Sequence, residues 1–236
     1  MAGDTPSGNT PLWQWNEYQQ VGTDYDDIEQ VRAYDERMGK FRDIEAENRR
    51  VLDALNLKPT DTMIEIGCGT GNLSIAATRQ CRQVIAYDIS DIMLQYAAGK
   101  AEALGVPNIE FHKAGFLTCH EKRPPVDAVV SQFALHHLPD FWKAVAIQRI
   151  AAMLNMGGHY YLTDVIFSFG MPEFQKHFDA WPESLGRESR DPAFGHLARE
   201  YSTQDWIIEG MFARSGFSFI NREIDSPMIA RYLVQK

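Results

Sequence analysis

From Thr62 onward, short apolar runs alternate with segments of helical periodicity, and this alternation constrains the fold more than any other feature of the chain. The apolar runs are MIEIG, QVIAYDIS, IEFHKAG, VDAVVSQFAL and GHYYLTDVIF, and helical segments such as DIMLQYAAGKAEALG and DFWKAVAIQRIAAMLN lie between them. Strands that alternate with helices in this way form a parallel sheet covered on both faces. The last two runs, FSFINREI and IARYLVQK, are close enough in sequence to pair as an antiparallel hairpin. We therefore predict an α/β fold with one mostly parallel sheet.

Two segments depart from this alternation. Residues 1–54 begin with a polar and aromatic stretch and continue into one or two amphipathic helices. Residues 168–200 combine proline, glycine, charged residues and isolated aromatics. We therefore predict an N-terminal helical arm at 1–54 and a main domain at 55–236, into which 168–200 is inserted.

Composition limits the class of protein. Of 236 residues, 44% are hydrophobic and the formal net charge is −9, which allows a sizeable core but disfavours a polyanionic partner such as nucleic acid. The three cysteines, Cys68, Cys81 and Cys119, lack a paired spacing, so we predict neither a disulfide framework nor a zinc cluster. No leader and no apolar run of about 18 residues is visible. We expect a cytoplasmic protein that binds neither nucleic acid nor membrane, and we assign no metal ligands.

The stretch MIEIGCGTGN places Gly67, Gly69 and Gly71 directly after the first strand. In an open parallel sheet, ligands bind beyond the carboxyl ends of the strands, and glycine lets a ligand approach the backbone closely. A dinucleotide fingerprint requires G-x-G-x-x-G, whereas Asn72 occupies the sixth position of this loop. No Gly-Lys-Ser/Thr follows either, so the loop is typical of neither a dinucleotide site nor a phosphate loop.

An acidic residue precedes the loop and another ends the second strand. These are Glu65 and Asp88. Together with the three glycines they resemble the pattern of the class I S-adenosylmethionine-dependent methyltransferases, over about residues 55–236. The resemblance implies a Rossmann-like α/β fold with a seven-stranded, mostly parallel sheet, an antiparallel C-terminal strand pair and helices on both faces. It also implies S-adenosylmethionine as cofactor, with S-adenosylhomocysteine as product.

The same resemblance implies roles for residues at the first two strand ends. Glu65 holds the glycine loop and, often through water, the ammonium group of the cofactor. Asp88, about 20 residues after Gly67, accepts hydrogen bonds from the ribose hydroxyls. Ile89 packs on the adenine. The two acids also suit a cationic sulfonium cofactor.

The third strand end departs from the family pattern. Many members carry an aspartate there that accepts from the adenine amino group, but this chain reads HKAGFLT, with Gly115 and Phe116 and no acid. Adenine recognition is therefore expected from backbone groups near these two residues or from the Phe116 ring, which is alternatively part of the core. At the fourth strand end, Gln132 is expected to meet the methionine portion of the cofactor.

After the fourth strand, the turn LHHL resembles the small-molecule group that includes the ubiquinone and menaquinone C-methyltransferases. Either His136 or His137 can supply a general base, because histidine titrates near neutral pH. Alternatively, one histidine packs and caps the following helix while the other is solvated.

In this family the acceptor pocket is usually built from the N-terminal segment and an insertion after the fifth strand. Here those segments are residues 11–40 and 168–200, and we predict that they form a lid or, alternatively, pack only locally. The side chains expected to reach the acceptor are Tyr25, Tyr34, His137 and Asp164. Our catalytic candidates are Tyr25, His137 and Asp164.

The leading hypothesis is methyl transfer to a small-molecule acceptor by in-line displacement. A protein that binds the cofactor without catalysis, as a sensor or assembly subunit, would keep the same loop. The net charge and the lack of an added RNA-binding module disfavour a tRNA or protein methyltransferase, and Asn72 disfavours a nicotinamide dehydrogenase. The sequence leaves the acceptor and the oligomeric state open, with a homodimer as one alternative.

Overall fold

The computed structural model describes residues 11–19, 28–40, 42–119, 124–185 and 187–236. Its helices are α1 (Ile28–Gly39), α2 (Ile44–Leu55), α3 (Asn72–Ala77), α4 (Asp91–Ala103), α5 (Asp140–Met153), α6 (Phe174–Ser184), α7 (Arg187–Arg199) and α8 (Asp205–Arg214). Its strands are β1 (Thr62–Ile66), β2 (Gln83–Asp88), β3 (Ile109–Lys113), β4 (Val126–Gln132), β5 (Leu154–Phe167), β6 (Thr203–Gln204), β7 (Ser218–Ser226) and β8 (Ile229–Gln235).

The strands form one mixed sheet in the order β3-β2-β1-β4-β5-β8-β7. The first five strands of this path pair in parallel, whereas β8 pairs antiparallel with both β5 and β7. The short strand β6 pairs with the end of β5, off this path. The predicted Rossmann-like sheet and its antiparallel C-terminal pair are therefore confirmed, and β6 is an addition to the prediction.

Successive side chains of the central strands point to opposite faces of the sheet, and each face has its own core. On one face, Met63 belongs to a buried cluster with Val51 of α2. On the other face, the next residue, Ile64, belongs to a cluster with Ile147 of α5 and Phe212 of α8. Every residue of β1 is buried. A strand covered on both sides is mostly apolar, which explains Met63, Ile64 and Ile66, whereas Thr62 and Glu65 are its buried polar residues.

The order of the strands reverses at the centre of the sheet. Strands β2 and β3 lie on one side of β1, while β4 and β5 lie on the other. The loops that leave the carboxyl ends of β1 and β4 therefore diverge and open a crevice, which is where open α/β sheets bind their ligands. The glycine loop follows β1, and the turn with His136 and His137 follows β4.

The insertion at 168–200 contains two helices, α6 and α7, although Pro182 and Pro192 lie inside them. Phe178 of α6 and Leu197 of α7 pack against the apolar cluster at the end of β5. This packing supplies a reason for helix formation that the local sequence does not show, since proline inside a helix removes a backbone hydrogen bond.

Helix α2 belongs to the core, because Val51, Leu52 and Leu55 pack on the sheet beside β1. The boundary expected between residues 54 and 55 thus lies within this helix. Tyr25 lies outside the described residues. Among the residues that the structure describes, no helix has both the length and the apolar character needed to cross a membrane.

Candidate active site

The three glycines of the loop between β1 and α3 lack side chains for two different reasons. A Cβ added at Gly67 would lie 2.5 Å from the Cβ of Ala134, and one added at Gly71 would lie 2.9 Å from the Cβ of Ala97. At Gly69 the added atom would meet nothing within 4 Å, although all three glycines have a positive φ, of +80°, +52° and +77° in chain order. Two glycines therefore allow close packing of the chain, whereas Gly69 leaves open space in front of the loop.

Asp88 connects the first two strand ends. Its Oδ2 accepts a hydrogen bond from the backbone N–H of Gly69 at 2.8 Å, and its Oδ1 accepts one from Ser90 at 2.9 Å. The carboxylate also lines the cleft described below. Asp88 therefore both fixes the conformation of the glycine loop and lines the cleft.

Glu65 lies beneath the loop and is 3% exposed. Its Oε2 accepts a hydrogen bond from Ser74 Oγ of α3 at 2.5 Å. Burial raises the pKa of Glu65 to about 8; the Ser74 hydrogen bond opposes this and the charge of Asp88 adds to it. Glu65 is absent from the cleft wall, so in this structure it joins the strand to α3 and does not face the open space.

A cleft of about 730 Å³ opens beyond the carboxyl ends of the parallel strands, including the part open to solvent. The sequence had singled out nine of the residues that line it: Tyr34, Gly67, Gly69, Asp88, Ile89, Gly115, Phe116, Gln132 and His137. Residues from the arm and from four different strand ends thus meet at one place. Gly71 and Asp164 do not line this cleft, because Gly71 packs on α4 and Asp164 is buried behind the wall.

Seven further lining residues were not anticipated: Glu17, Ile66, Met93, Ala114, Phe133, Ala134 and Leu138. Phe133 has a positive φ of 51°, which a bulky residue rarely adopts. Its backbone N–H donates to Thr163 O at 2.8 Å, and the guanidinium of Arg42 lies 4.1 Å from its ring centroid. Phe133 and its neighbours were recognisable as part of the turn after β4, whereas Glu17 carried no signal in the sequence.

Asp164 organises the turn after β4 from behind the cleft wall. It is 2% exposed, and its Oδ2 accepts the backbone N–H groups of Leu135 at 2.8 Å and His136 at 3.2 Å. Burial by itself opposes ionisation of this carboxyl, but the charge of His136 and the hydrogen bonds hold its pKa below the usual range.

His136 is buried between two carboxylates. Its Nδ1 donates to Asp164 Oδ1 at 2.5 Å, and its Nε2 lies 3.0 Å from Glu200 Oε2. Burial alone would lower the pKa of His136, but the two carboxylates raise it to about 9. Glu200 also lies 2.5 Å from His196 Nδ1, so the imidazolium joins the turn to the end of the insertion. His136, His137 and Glu200 hold possible metal ligands within 4.8 Å of one another, but both nitrogens of His136 already have carboxylate partners.

His137 differs from its neighbour, because its ring faces the cleft. Burial and the positive charge of His136 lower the pKa of His137 to about 4. Its imidazole is therefore neutral near pH 7 and offers one N–H donor and one nitrogen acceptor. His136 is therefore the packed histidine of the pair, whereas His137 is partly exposed and faces the cleft.

The N-terminal arm reaches the site at two points. On α1, the carboxylate of Asp35 accepts hydrogen bonds from Thr70 Oγ1 at 2.5 Å, Asn72 Nδ2 at 3.0 Å and Lys100 Nζ at 2.8 Å. The preceding residue, Tyr34, lines the cleft. This helix is therefore fastened to the glycine loop itself.

The second point is Glu17, which docks on the loop after β3. It is 7% exposed, and its carboxylate accepts hydrogen bonds from the backbone N–H of Leu117 and from Thr118 Oγ1. Burial raises the pKa of Glu17, while the hydrogen bonds oppose the rise. The arm thus contributes the side chain of Glu17 to the wall of the cleft.

Comparison with known proteins identifies the family of the chain. A family model described as a methyltransferase domain matches residues 63–158. An uncharacterized methyltransferase of Geobacillus thermodenitrificans is 30% identical over 201 residues, which cover 85% of this chain and 87% of the relative.

Two solved structures share the fold. Magnesium protoporphyrin IX methyltransferase from Synechocystis with bound S-adenosylhomocysteine has a TM-score of 0.60 and 20% identity, over 85% of this chain and 84% of that chain. Geranyl diphosphate C-methyltransferase from Streptomyces coelicolor, in complex with Mg²⁺, geranyl diphosphate and S-adenosylhomocysteine, has a TM-score of 0.64 and 12% identity, over 81% and 77%. Because a relative that is 30% identical matches along most of both chains, this chain belongs to the class I S-adenosylmethionine-dependent methyltransferases, with S-adenosylmethionine as its cofactor.

Proposed function

We propose that the protein transfers the methyl group of S-adenosylmethionine to a small organic acceptor by in-line displacement. The observation that carries this proposal is the shape of the cleft, which is bounded by Tyr34 of the arm as well as by the strand ends. Its wall is mostly apolar, with a few polar groups such as Tyr34, Asp88 and His137, which is the character of small-molecule sites. A cofactor and a small acceptor can be enclosed between the strand ends and the arm.

The cofactor is proposed to lie along the strand ends with its ribose at Asp88. Ile89 after β2 and Phe116 after β3 are proposed to flank the adenine, and Gln132 at the end of β4 is proposed to meet the methionine portion, since all three line the cleft. The open space in front of Gly69 admits the cofactor to the backbone. Glu65 acts beneath the loop through Ser74, so its role is to position the loop.

The acceptor is proposed to bind where the arm meets the turn after β4. Phe133 and Leu138 supply apolar wall, while Tyr34 and His137 supply polar groups. An apolar or aromatic acceptor fits this lining, in keeping with the resemblance of the LHHL turn to the ubiquinone and menaquinone enzymes. Two structural relatives carry names of small-molecule substrates, geranyl diphosphate and magnesium protoporphyrin IX.

His137 is proposed to orient the acceptor through its neutral imidazole. A base with a pKa of about 4 is weak, so His137 suits an acceptor whose proton is already acidic or whose nucleophile carries none. Positioning alone accounts for much of the rate acceleration of such a reaction, since well-oriented groups reach effective molarities of about 10⁵ M or more. Asp164 is proposed as a positioning residue that acts through His136 and the turn.

The arm at 1–54 and the insertion at 168–200 are proposed to form the lid over the acceptor. Tyr34 and Glu17 support this role for the arm, because both line the cleft. For the insertion, the support is the contact of Glu200 with His136 and the packing of Phe178 near Phe133.

The experiment that tests the proposal is profiling of a metabolite extract incubated with the protein and methyl-labelled S-adenosylmethionine. We expect a labelled small molecule and an equivalent amount of S-adenosylhomocysteine, and neither with the variant Gly69→Val. Label that enters only the protein or RNA fraction of a whole lysate would overturn the small-molecule proposal. Tight cofactor binding with no S-adenosylhomocysteine formed from any fraction would favour a regulatory protein instead.

A further inference from the structure

The carboxylate of Glu17 occupies the space that a side chain at position 115 would need. A Cβ added at Gly115 would lie 2.6 Å from Glu17 Cδ and closer still to Oε2. Gly115 has no unusual φ that would itself require glycine. The absence of a side chain at 115 is therefore explained by the arm, which places a carboxylate there instead.

The hydrogen bonds of Glu17 leave one part of the carboxylate uncommitted. Oε1 accepts from Thr118 Oγ1 at 2.6 Å and shares the N–H of Leu117 at 3.1 Å, while Oε2 accepts that same N–H at 2.9 Å, and the backbone N–H of Thr118 also interacts with the carboxylate. An ionised carboxylate has about four acceptor positions, so Oε2 has capacity for a further donor. Oε2 is also the oxygen nearest to the position of the missing Cβ at Gly115.

The surroundings of Glu17 match one end of the cofactor. Glu17, Ile89 and Phe116 line the same cleft, and the two apolar side chains suit the faces of a purine. A buried purine with a 6-amino group needs a hydrogen-bond acceptor for that group, because an unpaired buried donor costs about 1–3 kcal/mol. Asp88 is engaged with the glycine loop at the ribose side, so Glu17 is the acid placed at the purine side.

We propose that Glu17 accepts a hydrogen bond from the 6-amino group of the adenine of S-adenosylmethionine, so that the arm supplies the acid that the loop after β3 lacks. The inference rests on the position of the adenine proposed above. It gives the arm a direct role in cofactor recognition: the protein selects a 6-amino purine through a residue on its N-terminal arm, and residues 11–19 are fixed more firmly when the cofactor is bound.

Calorimetry with two ligands tests the proposal. One is S-adenosylhomocysteine, and the other is S-inosylhomocysteine, in which a carbonyl replaces the 6-amino group. We expect the wild-type protein to bind the adenosyl ligand at least about tenfold more tightly, the order of one hydrogen bond to a charged group. Glu17→Gln should lose most of this preference, because its amide N–H group can face the carbonyl. Tyr18→Phe is the matched control: it removes the contact of the same segment with Thr118 Oγ1 and should weaken both ligands equally.

A second set of variants distinguishes recognition of the 6-amino group by an acid from a general effect of undocking the arm. Gly115→Asp alone should weaken binding of S-adenosylhomocysteine, because its side chain meets the Glu17 carboxylate. Glu17→Ala alone should lose the preference for S-adenosylhomocysteine over S-inosylhomocysteine. The double variant Glu17→Ala with Gly115→Asp should regain this preference. A Glu17→Gln protein with the wild-type preference, or a double variant no better than Glu17→Ala, would overturn the proposal. If the wild-type protein binds neither ligand, the proposed cofactor site itself is wrong, which is a different result.

Discussion

Glu200 Oε2 lies 3.0 Å from His136 Nε2, and this contact joins the end of the insertion to the turn that follows β4. Both side chains are less than a tenth exposed. The insertion is thus fastened to the wall of the active site by a buried ion pair, while α1 is fastened to the opposite wall by Asp35. The two flanking segments are connected to the two loops that bound the crevice.

Glu200→Gln should lower the free energy of local opening of α7 by about 1–3 kcal/mol, because a neutral amide then replaces the carboxylate in the buried ion pair with His136. Hydrogen exchange of the amides in α7 measures this loss directly. Glu183→Gln is the control, since the pair of Glu183 and Arg190 is about half exposed and such pairs contribute little. Equal exchange in the two variants would show that the buried contact does not hold the insertion.

The stability of the protein should depend on the protonation of His136 in the alkaline range. The pKa of His136 is raised from 6.5 to about 9, so its contribution to stability is fully present below pH 6.5 and is lost as the pH rises through about 9. Chemical unfolding at several pH values should show this decline in the wild-type protein and a flatter profile in His136→Gln. Glu65 adds a decline of its own between about pH 4.5 and pH 8, which both proteins share. Parallel profiles across pH 7–10 would contradict the prediction.

Gly69→Val should abolish detectable cofactor binding, because the added side chain would occupy the open space in front of the loop. A left-handed backbone at a non-glycine residue also costs roughly 1–2 kcal/mol of stability. Gly105→Val separates the two effects, since Gly105 has a φ of +65°, equally open surroundings and a position after α4, away from the cleft. Both variants should unfold at a lower temperature than the wild-type protein, but only Gly69→Val should fail to bind S-adenosylhomocysteine in calorimetry.

Asp88→Ala should weaken binding of the cofactor by about 1.5–3 kcal/mol, the range for hydrogen bonds to a charged group. The loss includes the contact with the Gly69 N–H, so Asp88→Asn, which keeps the shape of the side chain, should lose less. Asp91→Asn serves as the control, because Asp91 forms an exposed pair with Lys113 at the start of α4. Wild-type affinity in Asp88→Ala would place the ribose elsewhere.

If the arm and the insertion form a lid, ligand should protect them. Hydrogen exchange in α1 and α7 is expected to slow when S-adenosylhomocysteine is added and to slow further with an acceptor, because lids are drawn from regions of low local stability. Protection that depends on protein concentration and not on ligand would indicate a dimer interface instead.

The sheet could be predicted because its determinants are local. Each strand can be recognised from a short stretch of sequence: an apolar run, the glycines after β1 or the acid at the end of β2. Because these strands alternate with helices, they form a parallel sheet with right-handed connections. Helices α6 and α7 were less apparent, since Pro182 and Pro192 lower the local helical signal and the compensating contacts come from the end of β5.

The finer parts of the site depend on contacts that no local pattern records. The Glu17 carboxylate meets Leu117 across a separation of 100 residues, in a segment without apolar periodicity. The pairing of Asp164 with His136, and the exposure of His137 to the cleft, follow from how the turn packs under the insertion. Two adjacent histidines of identical chemistry thus have opposite environments, which the sequence LHHL alone does not distinguish.

The close approach of Gly67 to Ala134 also sets a limit on how this chain can diverge. With 2.5 Å between the added Cβ of one and the Cβ of the other, there is room for one methyl group between the ends of β1 and β4. A mutation that enlarges residue 134 must direct its new atoms away from Gly67, or it must displace the loop that follows β1. In relatives that keep this loop, we therefore expect glycine at position 67 and a small residue at position 134.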